Sequence, residues 1–212
     1  MIRFITGTDT GIGKTVASAA LALAELEAGR SVAYCKPVQT GVTAAEPGDA
    51  DIVREMAGIK VTECLRFPAP LAPAVAAELV GTTIDVDRLV EGVLDLAKTA
   101  DILLVEGAGG VLVPLAEGVT MVDLARLLSA ELVIVTQPSL GTLNHTALTL
   151  EAAAARNVQV LGLIVSMWPD NPGITERTNL ERLAAMAPLL GVIPYAVPPA
   201  PVLRTVQTPQ DR

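Results

Sequence analysis

"FITGTDTGIGKT", Phe4 to Thr15, decides how the rest of the chain is read. A short β-branched strand runs into a glycine-rich turn, and an alanine-rich helical pattern begins at Lys14. That order binds phosphate. Backbone N–H groups at the helix N-terminus point at the anion, and the helix dipole favours negative charge there. Gly11, Ile12, Gly13, Lys14, Thr15 and Val16 are therefore the candidate nucleotide-binding residues. Lys14 would reach the β- and γ-phosphates, and the Thr15 hydroxyl would ligate Mg²⁺. The spacing is unusual: where the common loop places its first glycine this sequence has Thr8, and the glycine is Gly7. The loop is one residue longer than the usual form.

Outward from this loop, short apolar runs alternate with longer helical patterns. Ile2–Thr6, Ser31–Lys36, Asp101–Gly107, Glu131–Gln137 and Val160–Val165 read as buried strands, with one more at Gly191–Val197. Near-continuous apolar runs are what a parallel sheet covered on both faces requires. Helices are expected at Lys14–Ala28, Asp49–Ala57, Val86–Lys98, Met121–Ser129, Thr142–Arg156 and Thr175–Ala187. The stretch Arg66–Glu78 opens with three prolines, which keep its first half extended or turning before a helix starts. The tail Pro198–Arg212 is proline-rich and polar, the composition of a poorly ordered end. No repeat or long linker divides the chain. Residues 1–212 read as one α/β domain with a mostly parallel central sheet and helices on both faces.

Composition narrows the function. The 212 residues are 51% hydrophobic and 18% charged, enough for one large core. Only 2% are aromatic, so Ala, Val, Leu and Ile fill that core and let helices lie close on the sheet. A net charge of −8 without any basic run argues against nucleic acid, whose phosphates call for clustered Lys and Arg. Apolar runs such as Val16–Ala24 are too short and interrupted to span a bilayer, and the N-terminus does not read as a secretory signal. Cys35 and Cys64 supply neither a disulfide framework nor metal-ligand spacing. A cytoplasmic address is expected.

Three further motifs carry chemistry. "CKPVQTG" (Cys35–Gly41) ends the second strand with Lys36 on the ligand edge of the sheet, and Pro37 bars a helix from following directly. "VEGAGG" (Val105–Gly110) ends another strand with Glu106, a carboxylate suited to facing a metal, followed by glycines that allow backbone close to a phosphate. In "SLGTLNHT" (Ser139–Thr146), Thr142 or Asn144 is expected to cap the next helix. His145, the one histidine, reads as structural, because the glycine and caps already account for the motif.

In this order, "GTDTGIGKT", "KPVQTG", "VEGAGG" and "LGTLNHT" resemble the dethiobiotin synthetases of the P-loop NTPase superfamily. The likeness runs from the first strand to about residue 165, and the lengthened loop is the form that family uses. It implies a homodimeric, Mg²⁺-dependent ligase that makes dethiobiotin from 7,8-diaminopelargonate, CO₂ and ATP or another nucleoside triphosphate. Lys36 and Lys14 match catalytic positions; Thr15, Asp49 and Glu106 match metal ligands. "GDADIV" offers both Asp49 and Asp51, and Asp49 is preferred because it precedes Ala50 as in the family's Asp-Ala pairing. Gly107, Ala108 and Gly109 fall beside the nucleotide. Thr10, Thr40 and Gly109 match positions near the substrate's amines and carbamate. Gly141, Thr142, Leu143 and Asn144 match the helix start that receives the substrate carboxylate across a dimer interface, so each site would be shared between subunits.

One departure concerns the base. Many relatives follow the fifth strand with an asparagine that reads adenine; here Ser166 and Met167 hold that position, and Asn171 comes too late. Weaker adenine selectivity is expected, since a polar reader is what rejects the wrong edge. Trp168 reads either as a base-stacking residue or as a packing anchor. Two competing functions fit less well. A related amidoligase needs an ammonia source, and Cys64 lacks the setting of a glutaminase nucleophile. A partition-type nucleotide switch carries a second lysine where this loop has Asp9.

Overall fold

A computed structural model describes residues 1–195. Alternating strands and helices occur in the order β1 (Ile2–Gly7), α1 (Lys14–Glu27), β2 (Val32–Thr40), α2 (Asp49–Ala57), β3 (Lys60–Phe67), α3 (Pro73–Leu79), α4 (Val86–Ala97) and β4 (Ile102–Gly110). A small hairpin follows, β5 (Pro114–Ala116) and β6 (Val119–Thr120), and then α5 (Met121–Leu127), β7 (Glu131–Thr136), α6 (Thr142–Ala155), β8 (Val160–Trp168), α7 (Ile174–Met186) and β9 (Leu189–Pro194). The seven long strands form one sheet in the order β3-β2-β4-β1-β7-β8-β9. Every pairing in it is parallel. Ala196, Val197 and the tail from Pro198 lie outside the described residues.

The two-residue period of each strand divides the core into two layers. Phe4, Leu103, Val105, Leu132 and Ile134 face one side, against residues of α3 to α7. Ile5, Leu104, Val133 and Val135 face the other, against α1 and α2. Ala17, Ala19, Ala20 and Ala22 of α1 are buried, so small side chains bring that helix onto the sheet. No helix among the described residues is long and apolar enough to cross a membrane.

Four strands differ from the sequence reading. β3 is absent from it because it is an edge strand, half-buried and mixed in polarity, with no continuous apolar run to betray it. The β5–β6 hairpin is too short to carry a pattern. β2 does not end at Lys36 but continues to Thr40, through Pro37. Its pairing with β4 stops at Cys35–Val105, and beyond that point β3 is its sole partner. A proline therefore costs no bond on the β4 side. Lys36 and Glu106 are the first residues past that divergence, which opens the sheet at the site.

Candidate active site

The loop between β1 and α1 folds back on the strand that delivers it. A Cβ on Gly7 would lie 2.5 Å from Ile12 Cδ1 and 2.8 Å from the Asp9 carbonyl oxygen, so only glycine lets the turn close there. Gly13, the residue before α1, has φ +88° and a Cβ position 3.2 Å from Ser166 Cβ. The longer loop thus has a glycine at each of its two tight points. Lys14 is buried, and its Nζ donates to the Asp9 carbonyl at 2.9 Å. Burial pushes its ammonium below the ordinary lysine value, and the neighbouring charge of Lys36 adds to this, against the pull of Glu106. A polyphosphate at the loop would supply the charge this group lacks.

Lys36 is the centre of the site. It is 3% exposed, with Nζ 2.7 Å from Asp49 Oδ2, 3.0 Å from Glu106 Oε1 and 3.1 Å from the Gly107 carbonyl oxygen. Burial alone would lower its pKa, but the two carboxylates outweigh that and hold it above the ordinary value. Asp49 is treated in the opposite sense: burial would raise it, but the Lys36 charge and hydrogen bond hold it below the usual carboxylate range.

Glu106 is fully engaged. Oε1 accepts from Thr15 Oγ1 at 3.1 Å and from Lys36; Oε2 accepts from Ser18 Oγ at 2.8 Å and Tyr34 Oη at 3.0 Å. Ser18 and Tyr34 were not anticipated. Both had a signal: Ser18 stands one turn after Lys14, and Tyr34 puts a phenol on the apolar strand two residues before Lys36. Burial, with the Glu106 charge beside it, raises the Tyr34 phenol well above its ordinary value, so it remains a donor.

Asp49 and Glu106 present carboxylate oxygens to the Lys36 ammonium, and Thr15 Oγ1 stands 3.1 Å from the same Glu106 oxygen, so three oxygen-bearing side chains gather there. No group of three His, Cys, Asp or Glu side chains converges among the described residues. Two carboxylates and one hydroxyl suit Mg²⁺, which takes few protein oxygens and completes its shell with phosphate and water. The residues fit that ion. Asp51 turns away: Oδ2 accepts the Gly48 N–H at 2.9 Å, and its other oxygen pairs with Arg54.

Of the remaining candidates, Thr10 and Met167 line two separate clefts, and the others do not line them. One, of about 430 Å³, is lined by Thr8, Asp9, Thr10, Gly110 to Pro114, His145, Leu148 and Thr149. Gly109, at φ +63°, has its Cβ position 3.3 Å from Thr10 Oγ1, so the two sit together at this cleft. His145 is exposed on the cleft wall, not packed as the sequence reading held. Gly141 to Asn144 do not line the cleft, and no side chain caps α6. Thr142 cannot cap, because its hydroxyl is buried against Thr136 Oγ1 at 2.7 Å. Thr40 ends β2 and offers its carbonyl to Gln39 Nε2 at 3.1 Å.

The other cleft, of about 350 Å³, is lined by Gln137, Pro138, Ser139, Met167, Pro169, Asp170, Glu176 and Tyr195. Met167, at φ +53°, accepts Gln137 Nε2 on its sulfur at 3.0 Å. Ser166 does not face this cleft: its buried hydroxyl donates to the carbonyls of Ile12 and Thr136, beneath the loop. Val16 packs against the α1–α2 face of the core. Trp168 packs against the other core layer and is a packing anchor.

A family model described as an AAA domain matches residues 3–198. The ATP-dependent dethiobiotin synthetase BioD of Mycobacterium avium is 46% identical over 195 residues, 91% of this chain and 86% of that one. The protein of the same name from Rhodococcus jostii is 50% identical over 188 residues, covering 87% and 81%. The chain belongs to the ATP-dependent dethiobiotin synthetases. Among solved structures, the cell division ATPase MinD of Pyrococcus furiosus has a TM-score of 0.57 at 20% identity, covering 91% of this chain and 82% of that one. A ParA family ATPase from Chlorobium tepidum gives 0.55 at 19%, covering 91% and 84%. At such identity the likeness is one of fold. A dethiobiotin synthetase therefore uses the scaffold of these ATPases with Asp9 in its loop.

Proposed function

We propose that this ligase closes the ureido ring of dethiobiotin from 7,8-diaminopelargonate, CO₂ and a nucleoside triphosphate, with Mg²⁺ held by Thr15, Asp49 and Glu106. The observation that carries the reading is the buried Lys36 ammonium, fixed between two carboxylates beside the phosphate loop. Phosphoryl transfer to a carbamate joins two anions, so catalysis is charge neutralisation and alignment. The N7 amine of the substrate adds to CO₂ and loses a proton, giving the carbamate. A carbamate oxygen then takes the γ-phosphoryl group, ADP leaves, and a carbamic–phosphoric anhydride remains. The N8 amine attacks its carbonyl carbon and expels phosphate. Lys14 steadies the β- and γ-oxygens, while Lys36 lies against the carbamate and the group in flight. When bound, Mg²⁺ supplies the further positive charge that the polyphosphate needs. Thr10, Thr40 and Gly109 hold the amine end. Nucleotide turnover that depends on the diamine is the test, described at the end of the Discussion.

We further propose that the enzyme is a homodimer and works in the cytoplasm. Cys35 and Cys64 are free thiols with sulfurs 3.6 Å apart, which suits a reducing compartment. Leu112 and Leu148, 54% and 56% exposed, line the Thr10 cleft, and Leu140, 92% exposed, stands just before α6; a second copy would cover these apolar side chains. Gly141–Asn144 of that copy would bring an uncapped helix start to the substrate carboxylate. Leu140→Glu with Leu148→Glu is expected to halve the mass seen by sedimentation and to abolish turnover. Retention of the dimer would sink this arrangement.

In this reading the base enters the cleft lined by Met167, Pro138, Pro169 and Tyr195. Among the described residues the one carboxamide lining that cleft is Gln137, and its Nε2 donates one hydrogen to the Met167 sulfur. ATP, GTP and CTP are expected to differ by less than about tenfold in kcat/KM, against the 10⁴-fold or more that a dedicated polar reader achieves. Competition at subsaturating nucleotide measures this; a preference for ATP above 10³-fold would exclude it.

A further inference from the structure

Asp49 begins α2 at the end of an irregular, largely exposed connection, residues 41–48, yet its carboxylate must meet Lys36 and a cation to within a few tenths of an ångström. Part of the support is local. The Asp49 N–H donates at 2.9 Å to Oε1 of Gln39, which is buried on β2. Thr43 and Glu46 close the connection on itself, with Thr43 N–H donating to Glu46 Oε2 at 2.8 Å. These bonds tie the Asp49 end to β2 and close the middle of the segment on itself, but they do not join residues 43–46 to the sheet.

That link comes from Arg66 on the edge strand β3, in register beside Gln39. Its Nη1 donates to the carbonyl oxygens of Thr43 and Glu46, both at 2.7 Å. Nε and Nη2 donate to the two oxygens of Glu63, at 2.6 and 2.8 Å, and Glu63 is in register beside Lys36. Nη2 also stands 3.8 Å from Asp51, which caps the start of α2. The Gly48 backbone rests directly on this fork. A Cβ there would lie 2.7 Å from Arg66 Nη2, 2.8 Å from Glu63 Oε2 and 3.1 Å from Gln39 Oε1. Its φ of −95° is ordinary, so a methyl group at Gly48 would meet no backbone strain but would push aside the ends of these three side chains.

We propose that Arg66, held by Glu63 and seated against Gly48, is the positioning residue that sets Asp49 for the divalent cation. The inference rests on the reading of Asp49 as a cation ligand. An exposed ion pair alone would contribute little. Here the guanidinium joins two backbone carbonyls to a carboxylate, a planar task that a lysine's single ammonium cannot perform. Outer groups that orient metal ligands typically change metal affinity by about 10- to 100-fold when altered.

The test is Mg²⁺ affinity for the enzyme complexed with a non-hydrolysable ATP analogue, measured calorimetrically, in Arg66→Lys and Gly48→Ala. The second variant retains every charge and decides the matter if the first does not fold. Both are expected to need about tenfold more Mg²⁺, while metal-free nucleotide binds as in the parent and the diamine KM at saturating Mg²⁺ is unchanged. Unaltered Mg²⁺ affinity with only a lower melting temperature would reduce Arg66 to a loop support and overturn the proposal. Binding of the analogue involves no diamine, so failure here is distinct from failure of the ring-closing reaction.

Discussion

Replacing Lys36 by Met is expected to lower kcat about 10²- to 10³-fold, the loss usual when one preorganised donor is removed from a developing anion. It is also expected to leave nucleotide binding by the loop largely intact. Among the described residues, the hydrogen bonds and ion pairs of Lys36 go to Asp49, Glu106 and the Gly107 carbonyl oxygen. The same substitution strands two carboxylates, one of them fully buried, without their cation. Breaking a buried pair in this way costs about 3–5 kcal/mol. Thermal melting should therefore fall, and millimolar Mg²⁺ should restore much of it, because the ion fits between the same oxygens. A Lys36→Met protein with parental turnover would remove Lys36 from the chemistry.

Glu106→Gln is the second large effect. Four donors converge on this carboxylate, and an amide would oppose at least one of them with its own N–H groups. Loss of kcat by about 10²-fold or more is expected, together with several-fold weaker Mg²⁺ binding. The stability change carries a pH signature. In the parent, Glu106 and Asp49 raise Lys36 above its ordinary value, so their contribution is complete below the unfolded lysine pKa and fades as pH rises through the folded one. Without Glu106, Asp49 alone is left to offset the burial of Lys36, and part of that contribution is gone. The gap in melting temperature between parent and variant should therefore hold steady up to the ordinary lysine value of 10.5 and narrow as pH climbs above it. A gap independent of pH would contradict the assignment of that charge balance to Glu106.

The parallel sheet was legible because its central strands are buried on both sides and announce themselves as apolar runs; Leu103 to Val105 and Leu132 to Val135 are all fully buried. Edge strand β3 was not, since its half-exposed residues mix charge with apolar side chains. The loop, Lys36, Asp49 and Glu106 stood out as polar residues at strand ends or helix starts, and the fold brings them within hydrogen-bonding reach of one another. Ser18 and Tyr34 stood at suggestive spacings from Lys14 and Lys36, but their partner Glu106 lies in a distant segment, and Arg66 sits on the edge strand that carried no pattern. Such roles depend on how segments meet, which no single segment encodes. His145 was misread for a related reason: a helix start can turn its histidine either inward or onto a cleft, and the sequence of that turn is the same for both.

The central claim is that nucleotide cleavage here is coupled to ring closure. Phosphate release would be followed with Mg²⁺, ATP and radioactive bicarbonate, with and without 7,8-diaminopelargonate, while acid-stable label is collected. A free carbamate loses CO₂ in acid, whereas the ureido carbon keeps it. The account predicts that phosphate and acid-stable label appear together, in equal amounts, only when the diamine is present. Phosphate release that ignores the diamine, or label that never survives acid, would contradict it.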